Sequence, residues 1–163
     1  MRRAMQRRVN DPAPALARPL WRSDRMSADL VALGWKPLEQ RGGGFEELIG
    51  PLYARRTDAG VRFGFRAEPK HANPRGMVHG GMLMTLVDHA LGAMVWHAVG
   101  RRFCATVSLN CDFVAAANVG DWVEAVGEIS RKGHSLIFVH GELMVGDKLV
   151  VSANGVWKLL GAA

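Results

Sequence analysis

The chain has 163 residues, 48% hydrophobic and 22% charged, which suits one globular domain with a proper core and is short for two. Its formal charge of +6 is unevenly placed: residues 1–25 carry seven Arg against Asp11 and Asp24, while the other 138 residues hold 14 basic and 13 acidic side chains. A nearly neutral domain argues against a nucleic-acid-binding core, which needs clustered Lys and Arg on the folded part.

Residues 1–25 contain Pro12, Pro14 and Pro19 and show no apolar periodicity, so they are predicted to form a disordered Arg/Pro-rich tail ahead of a folded domain at 26–163. A flexible extension or a misassigned start accounts for the tail most simply. A transit peptide would also be Arg-rich and acid-poor, but three prolines and one serine weaken that reading, and a basic arm is the third. Ser27 suits the N-cap of a short helix at 28–33 closed by Gly34. Two strand-like runs follow at 45–56 and 61–66, joined as a hairpin by Thr57-Asp58-Ala59-Gly60. A long apolar segment spans 80–99 and ends at Gly100. Four more strands are expected at 103–114, 122–131, 135–144 and 148–160, and their short connections predict a mostly antiparallel meander.

The segment 80–99 is hydrophobic nearly all round and would span roughly 30 Å as a helix, which is also the thickness of a bilayer core. Asp88, His89 and His97, with Gly80, Gly81 and Gly92, argue against a membrane span. A helix apolar on every side can instead be buried by a curved sheet that wraps around it. One long helix inside an antiparallel sheet is the α+β architecture of the hot-dog fold. Cys104 and Cys111, seven apart on one strand, are expected on opposite faces and unable to bridge. They read as reduced thiols of a cytoplasmic protein, and no spacing suggests a metal site.

The stretch from His71 to Asp88 carries the chemistry. Asn73-Pro74 and Gly76 form a turn that leads into His79-Gly80-Gly81. At a helix start, bare glycine N–H groups and the positive end of the dipole favour an anion or a developing oxyanion. Asp88 is the only formal charge in the apolar run, and burial there would raise its pKa toward a usable value for a base.

With Asn73, Gly76, His79-Gly80-Gly81, Asp88 and Thr106 at these spacings, residues 40–160 resemble the PaaI-like branch of the hot-dog thioesterases, within the 4-hydroxybenzoyl-CoA thioesterase-like superfamily. The resemblance implies hydrolysis of an acyl or aryl-acyl thioester to free acid and CoA, with no cofactor because CoA is part of the substrate. It implies that Asp88 is general base or nucleophile, that the Gly80 N–H binds the oxyanion, that Asn73 assists at the carbonyl or water, and that Thr106 orients the water. Thr in place of Ser at that last position is a mild departure. Ser108 is expected on the same strand face as Thr106. Gly80 and Asp88 are eight residues apart, about 12 Å along one helix, so they cannot both reach one carbonyl. If both act, each site combines Gly80 of one subunit with Asp88 of another, which predicts an obligate homodimer, dimeric or tetrameric in total, with sites at the interface.

Other residues weigh less. His79 reads as a helix cap beside the substrate, with Gly81 following it, and His71 as an exposed loop histidine. For the CoA phosphates, Arg131, Lys132, Gly133 and His134 are candidates, with Arg101 and Arg102 and the Ser135 backbone behind them. Met77, Met82, Met84, Met94, Trp96, Phe113 and Trp122 are core first and pocket second. Two other functions compete: a non-catalytic acyl-CoA-binding or sensing module, and a hot-dog enoyl-thioester hydratase. The hydratase pattern Gly-Asp-x-Asn-Pro-x-His is missing, since Ala72 precedes Asn73-Pro74 and Gly76 follows two residues later. No nucleic-acid or membrane partner is expected.

Overall fold

Residues 29–39, 44–58 and 60–161 are described by a computed structural model of the chain. The expected tail at 1–25 and the Ser27 cap lie outside the described residues. In chain order the elements are β1 (Lys36–Pro37), α1 (Phe45–Ile49), β2 (Leu52–Thr57), β3 (Gly60–Arg66), a 3₁₀ turn (Pro69–His71), α2 (Gly80–Ala98), β4 (Cys104–Phe113), β5 (Trp122–Lys132), β6 (Leu136–Val145) and β7 (Lys148–Leu159). A helical turn at 29–32 precedes them.

The seven strands form one antiparallel sheet in the order β1-β2-β3-β5-β6-β7-β4. β5, β6 and β7 make the expected meander, but β4 leaves it. Instead of pairing with β5, which follows it in sequence, β4 runs beside β7 at the far edge. The long helix α2 lies between β3 and β4 in sequence and packs on the sheet, and this crossover separates the two strands. Along β7 the residues alternate, with Val151, Ala153, Gly155, Trp157 and Leu159 buried toward the helix and Ser152, Asn154, Val156 and Lys158 facing away. The fold is the hot-dog fold.

The all-round hydrophobicity of α2 conceals a stripe. Met82, Leu83, Leu86, Val87, Ala90, Leu91 and Val95 are buried against the sheet, whereas Gly81, Met84 and Asp88 are exposed. Paired glycines let the helix approach closely. Gly127 and Gly141 lie opposite each other on β5 and β6, and a Cβ on Gly141 would come within 2.6 Å of the Leu91 side chain. Among the described residues, no helix is long and apolar enough to cross a membrane.

Two expectations of local structure fail for identifiable reasons. Residues 45–49 are helical and only 52–57 are strand. Phe45, Leu48 and Ile49 sit at helical spacing, and Gly50-Pro51 stops the helix before β2 begins. On β4, a bulge between Thr106 and Ser108 inserts Val107, so the alternation of faces slips by one. Thr106 pairs with Trp157 on the helix side, while Ser108 pairs with Val156 on the outer side, and the two are not on one face. The same slip puts Cys104, opposite Leu159, and Cys111, opposite Ala153, on one face instead of two. Both thiols are free, and about 20 Å of strand separates them.

Candidate active site

The loop before α2 is a small hairpin closed on itself. Asn73 donates its N–H to the Met77 carbonyl at 2.7 Å, and Ala72 bridges Val78. The Asn73 Oδ1 accepts from the N–H groups of Arg75 at 2.8 Å and Met77 at 3.3 Å, an Asx turn that fixes the loop. Gly76 sits at φ +81°, a conformation that side chains with a Cβ rarely adopt, so glycine is required there. The hairpin delivers the chain to α2 at a defined angle. Asn73 thus has a structural task at the helix start.

His79 is the N-cap of α2, and its Nδ1 accepts from the Gly81 N–H at 2.9 Å. The cap therefore occupies the Gly81 donor. Among the described residues nothing accepts from the Gly80 N–H, which stays available at the positive end of a 19-residue helix. The Phe113 ring lies beside it, 3.4 Å from where a Cβ on Gly80 would stand, and is itself 51% exposed.

Two turns further on, Asp88 meets β4. The Thr106 hydroxyl donates to Asp88 Oδ1 at 2.7 Å, and these two residues are 18 apart in sequence. This short contact to an ionisable acceptor fixes the carboxylate rotamer. Asp88 is not buried as expected, because it lies on the exposed stripe of α2 and not on the one facing the sheet. It borders a cleft of about 460 Å³ with Phe45, Ile49, Met84 and Leu109 as apolar walls, and Glu46, Thr85 and His89 as polar ones. Cys104 and Cys111 both lie within electrostatic reach of the same carboxylate. Burial, and then Asp88, push the Cys104 thiol above its ordinary value, and burial, Asp112 and Asp88 do the same for Cys111. Neither is poised as a thiolate nucleophile.

The protomer thus brings together Asp88 with Thr106, and Asn73 with His79, Gly80 and Gly81, as two separate groups. The remaining candidates lie elsewhere. Arg131, Lys132 and His134 are exposed at the β5–β6 turn, where Lys132 Nζ donates to the Ala98 carbonyl at 3.0 Å and Gly133 N–H closes the turn on Leu136 at 2.9 Å. Ala98 is ten residues beyond Asp88, about 15 Å along α2, so this group is remote from the acid of its own protomer. Ser108 faces away from it.

Sequence reasoning missed Phe45, Glu46, Ile49 and His89 as cleft residues. Reading 45–56 as one strand left α1 out, although the Phe45–Leu48–Ile49 spacing before Gly50-Pro51 carried the signal. His71 is also placed differently from expectation: it is 4% exposed. Its Nδ1 accepts from the Glu68 N–H at 2.9 Å, its Nε2–H donates to the Ile49 carbonyl at 2.7 Å, and its ring meets Phe65 edge-on. Both ring nitrogens are used by the neutral tautomer. Burial holds the His71 pKa below 6.5, outweighing the Ile49 carbonyl, which raises it. A histidine with a lowered native pKa binds its proton preferentially in the unfolded chain. Its contribution to stability is therefore complete above pH 6.5 and is lost as pH falls from there through the native value. The urea midpoint should drop between about pH 7.5 and about pH 5.5, and His71→Gln should flatten that dependence. Equal slopes for the two proteins would remove His71 as the cause.

Comparison with known proteins identifies the family and the fold. Residues 75–152 match the family model described as the thioesterase superfamily, a span that includes Gly80, Asp88 and Thr106. A Pseudomonas aeruginosa protein that bears the name of an esterase, PA0474, is 36% identical over 131 residues, 79% of this chain and 97% of the relative. Among solved structures, the conserved protein PA5202 of Pseudomonas aeruginosa aligns with a TM-score of 0.67 at 26% identity, covering 73% of this chain and 95% of that one. The zebrafish thioesterase superfamily member 2 has the same TM-score of 0.67 at 24% identity, over 74% of this chain and 89% of that one, and so shares the fold. A Bacillus halodurans protein, BH2602, solved with CoA, aligns at 28% identity with a TM-score of 0.59, over 64% of this chain and 70% of that one. The family match, the relative covered over most of both chains and the shared fold agree: the chain belongs to the thioesterase superfamily, as a PaaI-like hot-dog protein.

Proposed function

We propose that the protein hydrolyses acyl-CoA thioesters to a free acid and CoA. The observation that carries this reading is the Asp88–Thr106 contact at the wall of an apolar cleft. A thioester carbonyl needs an oxygen nucleophile on one side and a donor for its developing negative charge on the other. Asp88, held by Thr106, takes the proton of a water as its oxygen bonds to the carbonyl carbon, or attacks that carbon itself and, once the thiolate has left, forms an acyl-Asp88 anhydride that water hydrolyses to the free acid and the carboxylate. The Gly80 N–H of the other protomer receives the oxyanion. When the tetrahedral intermediate collapses, the C–S bond breaks and the thiolate leaves, taking a proton from the carboxyl group or solvent. The CoA-bound relative from Bacillus halodurans supports this substrate class.

Distance, and what the single chain leaves uncovered, support a two-protomer site. Asp88 and Gly80 are about 12 Å apart on α2, and among the described residues β4 is an edge strand with one side of its backbone unpaired. Met84 on the helix and Val107, Phe113 and Val114 on or beside β4 are 40%, 59%, 51% and 58% exposed, large apolar side chains left to water on the helix and the edge strand. A second copy placed across this edge by a two-fold axis would cover these residues and bring its Gly80 toward Asp88. Arg131, Lys132, Gly133 and His134 would then meet the CoA phosphates from the partner's side.

A thiol-release assay on acetyl-, octanoyl-, benzoyl- and phenylacetyl-CoA tests the activity. Release from at least one, with turnover in the range of ordinary enzymes, is the expected result. Saturable binding of all four with no thiol released would establish an acyl-CoA-binding module instead.

A further inference from the structure

Helix α1 hardly buries anything. None of its residues is buried, and Phe45 and Leu48 are 62% and 74% exposed. A five-residue helix whose apolar tie to the core is the half-buried Ile49 has little intrinsic stability and must be held by its neighbours. Polar ties do this. At the C-terminal end His71 Nε2–H donates to the Ile49 carbonyl, and Lys70 Nζ donates to the Gly50 carbonyl. At the N-terminal end Nδ1 of His89 lies 3.0 Å from Oε1 of Glu46. The two ends differ in strength. His71 is buried and packed on Phe65, while the Glu46 side chain is 52% exposed, so one anchor is rigid and the other is weak.

What α1 covers gives the asymmetry a meaning. The Asp88 cleft adjoins a second cavity of about 380 Å³ that reaches His79 and Gly81 at the start of α2, and Phe45, Ile49 and Thr85 line both. α1 therefore lies along the exposed face of α2, from near the helix start to the catalytic carboxylate. Its position fixes the width of the apolar space beside Asp88. His89 is held in turn, with its ring edge-on to Phe63 at 5.3 Å between centroids.

We propose that α1 is the wall that limits the size of the acyl group beside Asp88, and that Glu46 and His89 are positioning residues that hold this wall closed. The proposal rests on the thioesterase reading above. Releasing Glu46 from His89 leaves α1 hinged at its His71 anchor. Phe45 then moves away from Met84 and the cleft widens on its acyl side, while Asp88, Thr106 and Gly80 stay in place. The change falls on KM and on the ranking of substrates more than on kcat. An exposed pair of this kind contributes up to about 1 kcal/mol, so the shift in preference is about fivefold.

The test compares the wild-type protein with Glu46→Ala and with Glu46→Gln, which keeps an oxygen for the His89 N–H. Steady-state kinetics on acetyl-, octanoyl-, palmitoyl- and benzoyl-CoA should show the palmitoyl-to-acetyl ratio of kcat/KM rising about fivefold in Glu46→Ala, through KM, and returning toward wild type in Glu46→Gln. Hydrogen exchange at the Gly50 amide, which is bonded to the Glu46 carbonyl at 2.8 Å within α1, should accelerate in Glu46→Ala alone. An equal loss on all four substrates, or an unchanged Gly50 exchange rate, would overturn the proposal. If the wild-type protein releases no thiol from any substrate, the thioesterase reading fails by itself. The exchange rates and the dissociation constants of the same four thioesters then still judge whether α1 sets acyl size.

Discussion

Replacing Asp88 by Asn is expected to lower kcat by about a thousandfold while leaving the melting temperature within a few degrees of the parent protein. The amide keeps the shape and retains an oxygen for the Thr106 hydroxyl, whose 2.7 Å contact is the carboxylate's polar partner from β4. It can neither take a proton from water nor attack a carbonyl at neutral pH. Because Asp88 lies on the exposed stripe of α2, no buried charge is stranded and packing is undisturbed. Thr106→Val, which keeps the β-branch and removes the hydroxyl, should cost less, roughly tenfold, because it frees the carboxylate rotamer without removing the base. Turnover of Asp88→Asn near the wild-type rate would take Asp88 out of the mechanism. Single turnover in ¹⁸O-labelled water then tests the covalent route open to an active Asp88: label in the Asp88 carboxylate marks the nucleophile, whereas label in the product acid alone marks water attack at the acyl carbon, of the thioester or of an Asp88 anhydride.

The second large effect concerns Gly80, whose N–H can be removed with little damage to the fold. Gly80 is the first residue of α2, the position where proline is best tolerated, because that N–H has no partner within the helix. His79 before it is already extended, at φ −64° and ψ 137°, as a residue preceding proline must be. Some adjustment of the exposed Phe113 ring accommodates the added carbons. Gly80→Pro should therefore fold and dimerise, with kcat lowered about a hundredfold or more by loss of an oxyanion donor. Mixing it with Asp88→Asn after subunit exchange provides the sharper result. If each site takes Gly80 from one chain and Asp88 from the other, every mixed dimer has one intact site, and a statistical mixture regains about a quarter of wild-type activity. A mixture no more active than its parts would place both groups in one protomer's site, against the 12 Å between them, or remove one of them from catalysis.

The difference between the sequence expectations and the structure follows from the range of the interactions concerned. Local chemistry was legible. The Asn73–Gly76 turn, the His79 cap, the extent of α2 and most strand positions depend on neighbours within a few residues, and each appears where its residues predict it. The composite of Asn73, Gly76, His79-Gly80-Gly81, Asp88 and Thr106 was enough to identify the family. What went wrong involves longer range or a single-residue slip. The bulge at Val107 reverses the faces of everything after it on β4, and no pattern in a strand with Cys, Thr, Ser and Asn on alternating positions announces it. The exposure of Asp88 could not be read from a helix apolar nearly all round, because only docking on the sheet decides which stripe is covered.

The sequence by itself determined the fold class, the helix start with its free Gly80 N–H, and the separation of about 12 Å that the helix rise sets between Gly80 and Asp88. Each of these rests on local propensity or on a fixed rise per residue. Only the tertiary structure decided that Thr106 reaches Asp88 across 18 residues, that Ser108 turns away, that β4 is an exposed edge, and that α1 closes over the cleft under a histidine buried 22 residues beyond it. Those are pairings between distant segments, fixed by register and packing once the sheet has formed, and local residue preferences do not encode them.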